Sequence, residues 1–207
     1  MLHQVLVSVK KPFIKMVPVP KPECIVGQGK VLEVAKYCQQ YSVSKPLIVT
    51  DKVLLGLGLL DGMLASLESA GINASIFDEV KPDPDYATVR AGVKQYQANG
   101  CDGVIAFGGG SPIDCAKAIA GSVKTKKDVA KLPGLLKIHR PIMPLIAIPT
   151  TAGTGSEGTV AAVVSDVESK TKRAITDPFW CLKLRFLTPI LCLGCRLKLP
   201  QKREWMP

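Results

Sequence analysis

Histidine, aromatic side chains and long apolar runs are all scarce in this chain of 207 residues. It has two histidines, and aromatics make up 5% of it. No apolar run approaches the ~18 residues needed to cross a bilayer. Residues Met1 to Val9 carry no basic n-region and alternate like a strand, so no secretory signal is expected. Neither disorder nor a collagen-like repeat fits a chain that is 47% apolar. Acid is nearly absent at one end: after residue 178 only Glu204 is acidic. The net charge of +10 therefore divides into +5 for residues 1–178 and +5 for the last 29. No single basic face for nucleic acid is implied, and neither is a membrane-binding surface. Seven cysteines, an odd and irregular set, argue for reduced thiols in a cytoplasmic protein rather than a disulfide frame.

Up to residue 178 the pattern alternates between strand and helix. Val5, Val7 and Val9 share one face of an expected first strand. The segments 46–50, 75–77, 103–107 and 142–148 read as short buried strands. Val31, Val34, Ala35 and Cys38 recur at helical spacing, as do Leu60, Leu64 and Leu67, closed by Gly71, and Tyr86, Val89, Val93 and Tyr96, closed by Asn99-Gly100. Another helix is expected from Ser111. Residues 160–166 and 170–176 read as a hairpin. This order predicts an α/β fold with a mainly parallel sheet flanked by helices, and such sheets bind ligands beyond the carboxyl ends of their strands.

Two segments at such ends carry the chemistry. Phe107-Gly-Gly-Gly-Ser-Pro-Ile-Asp114 joins a buried strand to a helix. Its glycines allow a sharp turn and close approach of an anion. Ser111 reads as N-cap, Pro112 as first helical residue, and Asp114 as an acid favouring the helix start. The free N–H groups there suit phosphate. The alternative is a tight, well-capped turn without a ligand. Pro149-Thr-Thr-Ala-Gly-Thr-Gly-Ser-Glu157 follows the next strand and offers hydroxyls at 150, 151, 154 and 156; the alternative is a Thr/Gly-rich turn. Gly153, Gly155 and Gly158 match G-x-G-x-x-G, but a β-branched strand follows where that fingerprint needs a helix, so the match is rejected. Asp51, at the end of strand 46–50, can accept the ribose hydroxyls of an adenine dinucleotide; alternatively it caps a helix starting at Lys52.

Together these segments resemble the iron-containing (group III) alcohol dehydrogenase family. The likeness rests on Gly108–Lys117 and Pro149–Glu157, with the Asp51 strand end and the hairpin in support. A glycerol-dehydrogenase or dehydroquinate-synthase relative would share the glycine turn, but the Thr150–Glu157 stretch fits the alcohol dehydrogenase branch better. The resemblance implies a dehydroquinate-synthase-like nucleotide-binding domain over residues 1–178. It implies NAD as cofactor, with a small alcohol or aldehyde as substrate. Gly109, Gly110 and Ser111 would hold the pyrophosphate. Asp114 would support the turn or contact the cofactor, and Asp51 would take the ribose, favouring NAD over NADP. Thr150, Thr151, Thr154 and Ser156 would line the adenine and nicotinamide ends, and Val163 and Lys172 would complete the site.

The resemblance also implies a second, helical domain whose Asp and three His bind divalent iron or zinc. Two histidines, His3 and His139, cannot supply three, so the ligands and the helical metal domain are read as missing. Residues 179–207 are expected to be a basic, irregular tail outside the family pattern. Within it, Cys181, Cys192 and Cys195 include a C-x-x-C spacing, but a fourth zinc ligand is not evident nearby. The chain thus reads as the cofactor-binding half of an alcohol dehydrogenase, inactive by itself. The rival reading is a non-catalytic nucleotide-binding fragment that dimerises, with itself or with a full-length relative.

Overall fold

The computed structural model describes residues 22–138 and 141–177, and the backbone of 182–187. The expected strand at Val5–Val9 lies outside the described residues. In chain order the elements are β1 (Glu23–Val26), α1 (Val34–Gln40), β2 (Pro46–Val49), α2 (Lys52–Gly56), α3 (Asp61–Ser69) and β3 (Ser75–Phe77). They continue with α4 (Tyr86–Ala98), β4 (Gly103–Gly108), α5 (Gly110–Thr125), β5 (Gly134–Leu135), β6 (Leu145–Pro149), β7 (Ala161–Asp166), β8 (Thr171–Thr176) and β9 (Leu182–Leu187).

One sheet runs β1-β9-β6-β4-β2-β3, and every pairing in it is parallel. Its strands β2, β4 and β6 are apolar throughout because both faces are covered. Alternation then sorts their side chains. Leu47, Val49, Val104, Ala106, Leu145 and Ala147 meet α4 and α5 through Val89, Ile113 and Ile119. Ile48, Ile105, Phe107, Ile146 and Ile148 meet α1 and α3 through Val34, Cys38, Met63 and Leu67. The two helices on the first face pack closely at Gly92, where an added methyl group would collide with Ile119 Cδ1. Among the described residues no helix is long and apolar enough to cross a membrane.

The expected hairpin is present as the antiparallel pair β7 and β8, joined to the short β5 in a second sheet. Two expectations need correction. The strand expected over 142–148 begins at Leu145, after Pro144, whose ring nitrogen has no proton for the ladder. The tail from 179 was expected to be irregular, yet β9 at 182–187 lies between β1 and β6 in the main sheet. Leu182-Lys-Leu-Arg-Phe-Leu187 carries the signal: apolar and basic residues alternate, a period-two pattern that a search for helical spacing passes over.

Candidate cofactor site

The strands β2, β4 and β6 end side by side, and each end opens into a turn that carries chemistry. β4 ends at Gly108, whose φ of +146° is open to glycine and strained for other residues. The chain turns there and enters α5 with Gly109 as N-cap. Ser111 was expected in that role. The glycines let the helix begin at Gly110 instead, and Ser111 becomes its second residue. No side chain caps this end. The N–H groups of Gly110 and Ser111 precede the first intrahelical donor, the Ile113 N–H that bonds Gly109 O, so they point outward with the positive end of the helix dipole. Pro112, third in the helix, has no N–H to leave unsatisfied.

The hydroxyl-rich loop after β6 adjoins this turn. The N–H of Thr150 donates to Gly108 O at 3.0 Å. A methyl group on Gly109 would lie 3.0 Å from Thr151 Oγ1. One on Gly110 would lie 3.3 Å from Ser156 Oγ and 3.4 Å from Thr154 Cβ. Three hydroxyl residues therefore press against a backbone that has no side chains there. The rejection of the G-x-G-x-x-G match holds in its context, since a 3-10 turn over Ser156–Gly158 leads into strand β7, not a helix.

A cavity of about 1000 Å³ lies over these ends. Asp51, Gly109, Gly110, Ser111, Thr150 and Thr151 all line it. Asp51 also caps α2, accepting from Leu54 N–H at 2.9 Å, so the capping alternative is realised at the cavity wall. Acidic neighbours at that end are Asp78, Glu79 and Asp85. Five expected site residues do not line the cavity in this way. Thr154 and Ser156 stand behind Gly110. Asp114 accepts the Val163 N–H at 3.0 Å, so it supports the loop, and Val163 takes part through its backbone. Burial raises the Asp114 carboxyl, while the Val163 N–H and the Lys117 charge oppose that rise. Lys172 pairs with Asp83 at 2.7 Å, and the Asp83 N–H reaches Ser111 Oγ at 3.3 Å. Lys172 thus connects to the glycine turn through Asp83.

Asp83 and Lys117 were not picked out from the sequence. Lys117 is 0% exposed, and its ammonium donates to the carbonyls of Ser156, Thr159 and Ala161 at 2.5, 2.9 and 2.8 Å. Burial pulls its pKa down to about 8, against the pull of Asp114 and Glu157. A signal existed: a single lysine stands inside Cys115-Ala-Lys-Ala-Ile-Ala120, an otherwise apolar run.

The model of the iron-containing alcohol dehydrogenase family matches residues 21–189. The chain belongs to this family. The boundary expected at residue 178 falls inside the match. Among curated relatives, the NAD-dependent methanol dehydrogenase of Bacillus methanolicus is 36% identical over 156 residues, which are 75% of this chain and 41% of that one. A crystal structure of a 1,3-propanediol oxidoreductase superposes with a TM-score of 0.82 at 34% identity, covering 87% of this chain and 47% of its own. Sulfoacetaldehyde reductase from Bifidobacterium kashiwanohense, solved with NAD+, gives 0.76 at 27% identity over 84% and 46%. The chain therefore spans less than half the length of these relatives.

The family name implies iron, and the described residues do not fit it. Among them no three His, Cys, Asp or Glu side chains gather as a metal site would require. His3, His139, Cys181, Cys192 and Cys195 lie outside the described residues. An adenine dinucleotide does fit: the turn offers uncapped N–H groups, and glycine stands where any side chain would crowd the loop.

Proposed function

We propose that this chain binds NAD between the glycine turn and the hydroxyl loop, and serves NAD-dependent alcohol oxidation or aldehyde reduction. The carrying observation is the contact of the two turns at Gly109 and Thr151, beneath a shared cavity. In this reading Gly109, Gly110 and Ser111 hold the pyrophosphate at the positive end of α5. Asp51 accepts the ribose hydroxyls and repels a 2′-phosphate, which selects NAD over NADP. Thr150 and Thr151 line the cavity wall, with Thr154 and Ser156 behind Gly110. Asp114 fixes the loop through Val163, and Lys172 steadies the rim through Asp83. NAD supplies the hydride acceptor or donor. The four described cysteines are free, which suits a reducing cytoplasm.

A second reading is nucleotide binding without turnover, in a module that associates with itself or with a longer relative. It is favoured by the chain's span, which is less than half the length of its relatives. NADH fluorescence titration tests both: saturable binding is expected, and no binding at millimolar cofactor overturns them. Saturable binding by a monomer that turns over no alcohol unaided supports the first reading, a cofactor-binding half whose metal ligands lie elsewhere. Binding without turnover, together with an oligomer in size-exclusion chromatography, supports the second.

A further inference from the structure

We infer that Lys117 is the positioning residue that holds the hydroxyl loop in register with the glycine turn. The inference rests on the cofactor reading above and names a residue which that reading does not use. Residues 110, 114 and 117 stand at i, i+4 and i+7 on α5, hence on one face. Each meets the segment 154–163. Gly110 lets Thr154 and Ser156 approach. Asp114 accepts the Val163 N–H. Lys117 donates to the Ser156, Thr159 and Ala161 carbonyls, and its ammonium also lies 3.4 Å from Thr159 Oγ1.

The helix that presents the phosphate-facing N–H groups therefore grips the loop with an acceptor and a donor of matching polarity. A buried ammonium is costly unless its donors are used. Here three carbonyls from one irregular segment use them. Those carbonyls belong to a 3-10 turn and the entry to β7, where helix and sheet ladders supply few partners. Removing the ammonium leaves them to find water, and the loop moves to do so. Lys117 lines no part of the cavity, so it acts through the loop, not on the cofactor.

The full chain with Lys117→Met tests this. The variant keeps side-chain bulk and loses every donor. NADH affinity is expected to fall about tenfold or more. ADP, which lacks the nicotinamide half and so meets less of the loop, is expected to lose less affinity than NADH. A general loss of structure would weaken both ligands alike. Equal loss for NADH and ADP, or no loss for NADH, overturns the inference. If K117M does not fold, as judged by circular dichroism, Lys117→Gln retains two N–H donors and takes its place: a loss for NADH that exceeds the loss for ADP supports the inference, and equal losses or none overturn it. Failure of the unaltered chain to bind NADH sinks the cofactor reading and this inference with it. Binding by the unaltered chain with an unaffected variant sinks this inference alone.

Discussion

Gly108→Ala should damage this protein far more than a glycine replacement of similar backbone strain elsewhere. Gly108 ends β4 with φ +146°, and the added methyl group would meet Pro112 Cγ at 2.6 Å, Pro112 Cβ at 3.0 Å and Leu54 Cδ1 at 3.2 Å. The backbone strain costs about 1–3 kcal/mol. Pressing a methyl group into the rigid proline ring adds about 1–3 kcal/mol. The sum is about 2–6 kcal/mol. Gly100→Ala is the control: its φ of +60° is also left-handed, but nothing lies within 4 Å of the new methyl group. There the strain of about 1–2 kcal/mol is partly offset by a stiffer unfolded chain. Urea unfolding followed by circular dichroism reads both. With a slope of about 2 kcal/mol per molar urea, Gly108→Ala should lower the midpoint by about 1–3 M and Gly100→Ala by less than about 0.5 M. Equal midpoint shifts would refute the claim that the turn is packed against Pro112 and Leu54. NADH affinity should fall in Gly108→Ala, since the clash displaces the N-terminal turn of α5.

Asp51→Asn keeps a good helix cap and removes the charge, whereas Asp51→Ala removes both; NADH binding should weaken in each, while only the alanine variant should lose about 1 kcal/mol of stability in urea unfolding. Gly92→Ala should destabilise by about 1–2 kcal/mol despite the better helix propensity of alanine, and adding Ile119→Val, which removes the clashing Cδ1, should recover part of it in a double-mutant cycle. The Arg90 guanidinium holds the Asp128 carboxyl down at about 2. A depressed carboxylate stabilises the fold above its unfolded value and loses that effect as pH falls through the folded value, so the gap in melting temperature between this protein and Asp128→Asn should close between about pH 4 and pH 2. Both partners are well exposed, so the stability difference behind that gap should be under about 1 kcal/mol and should shrink with added salt.

The centre of the sheet was legible because β2, β4 and β6 are buried on both faces and therefore read as unbroken apolar runs. Pro46–Val49, Gly103–Gly108 and Leu145–Pro149 are buried at every position. Helices α3 and α4 were legible from apolar spacing and the glycine near each end. Elements at the margin were less so. Glu23–Val26 and Gly134–Leu135 are short and mostly exposed, so burial leaves little pattern in their sequence. The cap of α5 was misplaced by two residues because serine is a better cap than glycine in isolation. In the fold, Ser111 Oγ is turned toward Asp83, and the capping position passes to a glycine.

The site was legible in its parts but not in its assembly. Glycines and hydroxyls announced the two turns, since each is a local property of a strand end. That Thr151 touches Gly109 follows from the adjacency of β4 and β6, and the parallel register pairs Gly108 with Pro149. Polar groups that work across distance left a weaker mark. The family resemblance places Lys172 at the site, and in the fold its ammonium pairs with Asp83, 89 residues away. Lys117 looked like part of a motif, yet its partners are carbonyls 39 to 44 residues on. A backbone carbonyl has no residue identity, so no pattern of letters can name it. What the sequence does record is the cost: a lysine kept inside an apolar helix face must have its donors used, and the groups that use them must be backbone or acid. In the fold those groups lie on the irregular segment between Gly155 and Ala161, in the loop that bears the hydroxyls.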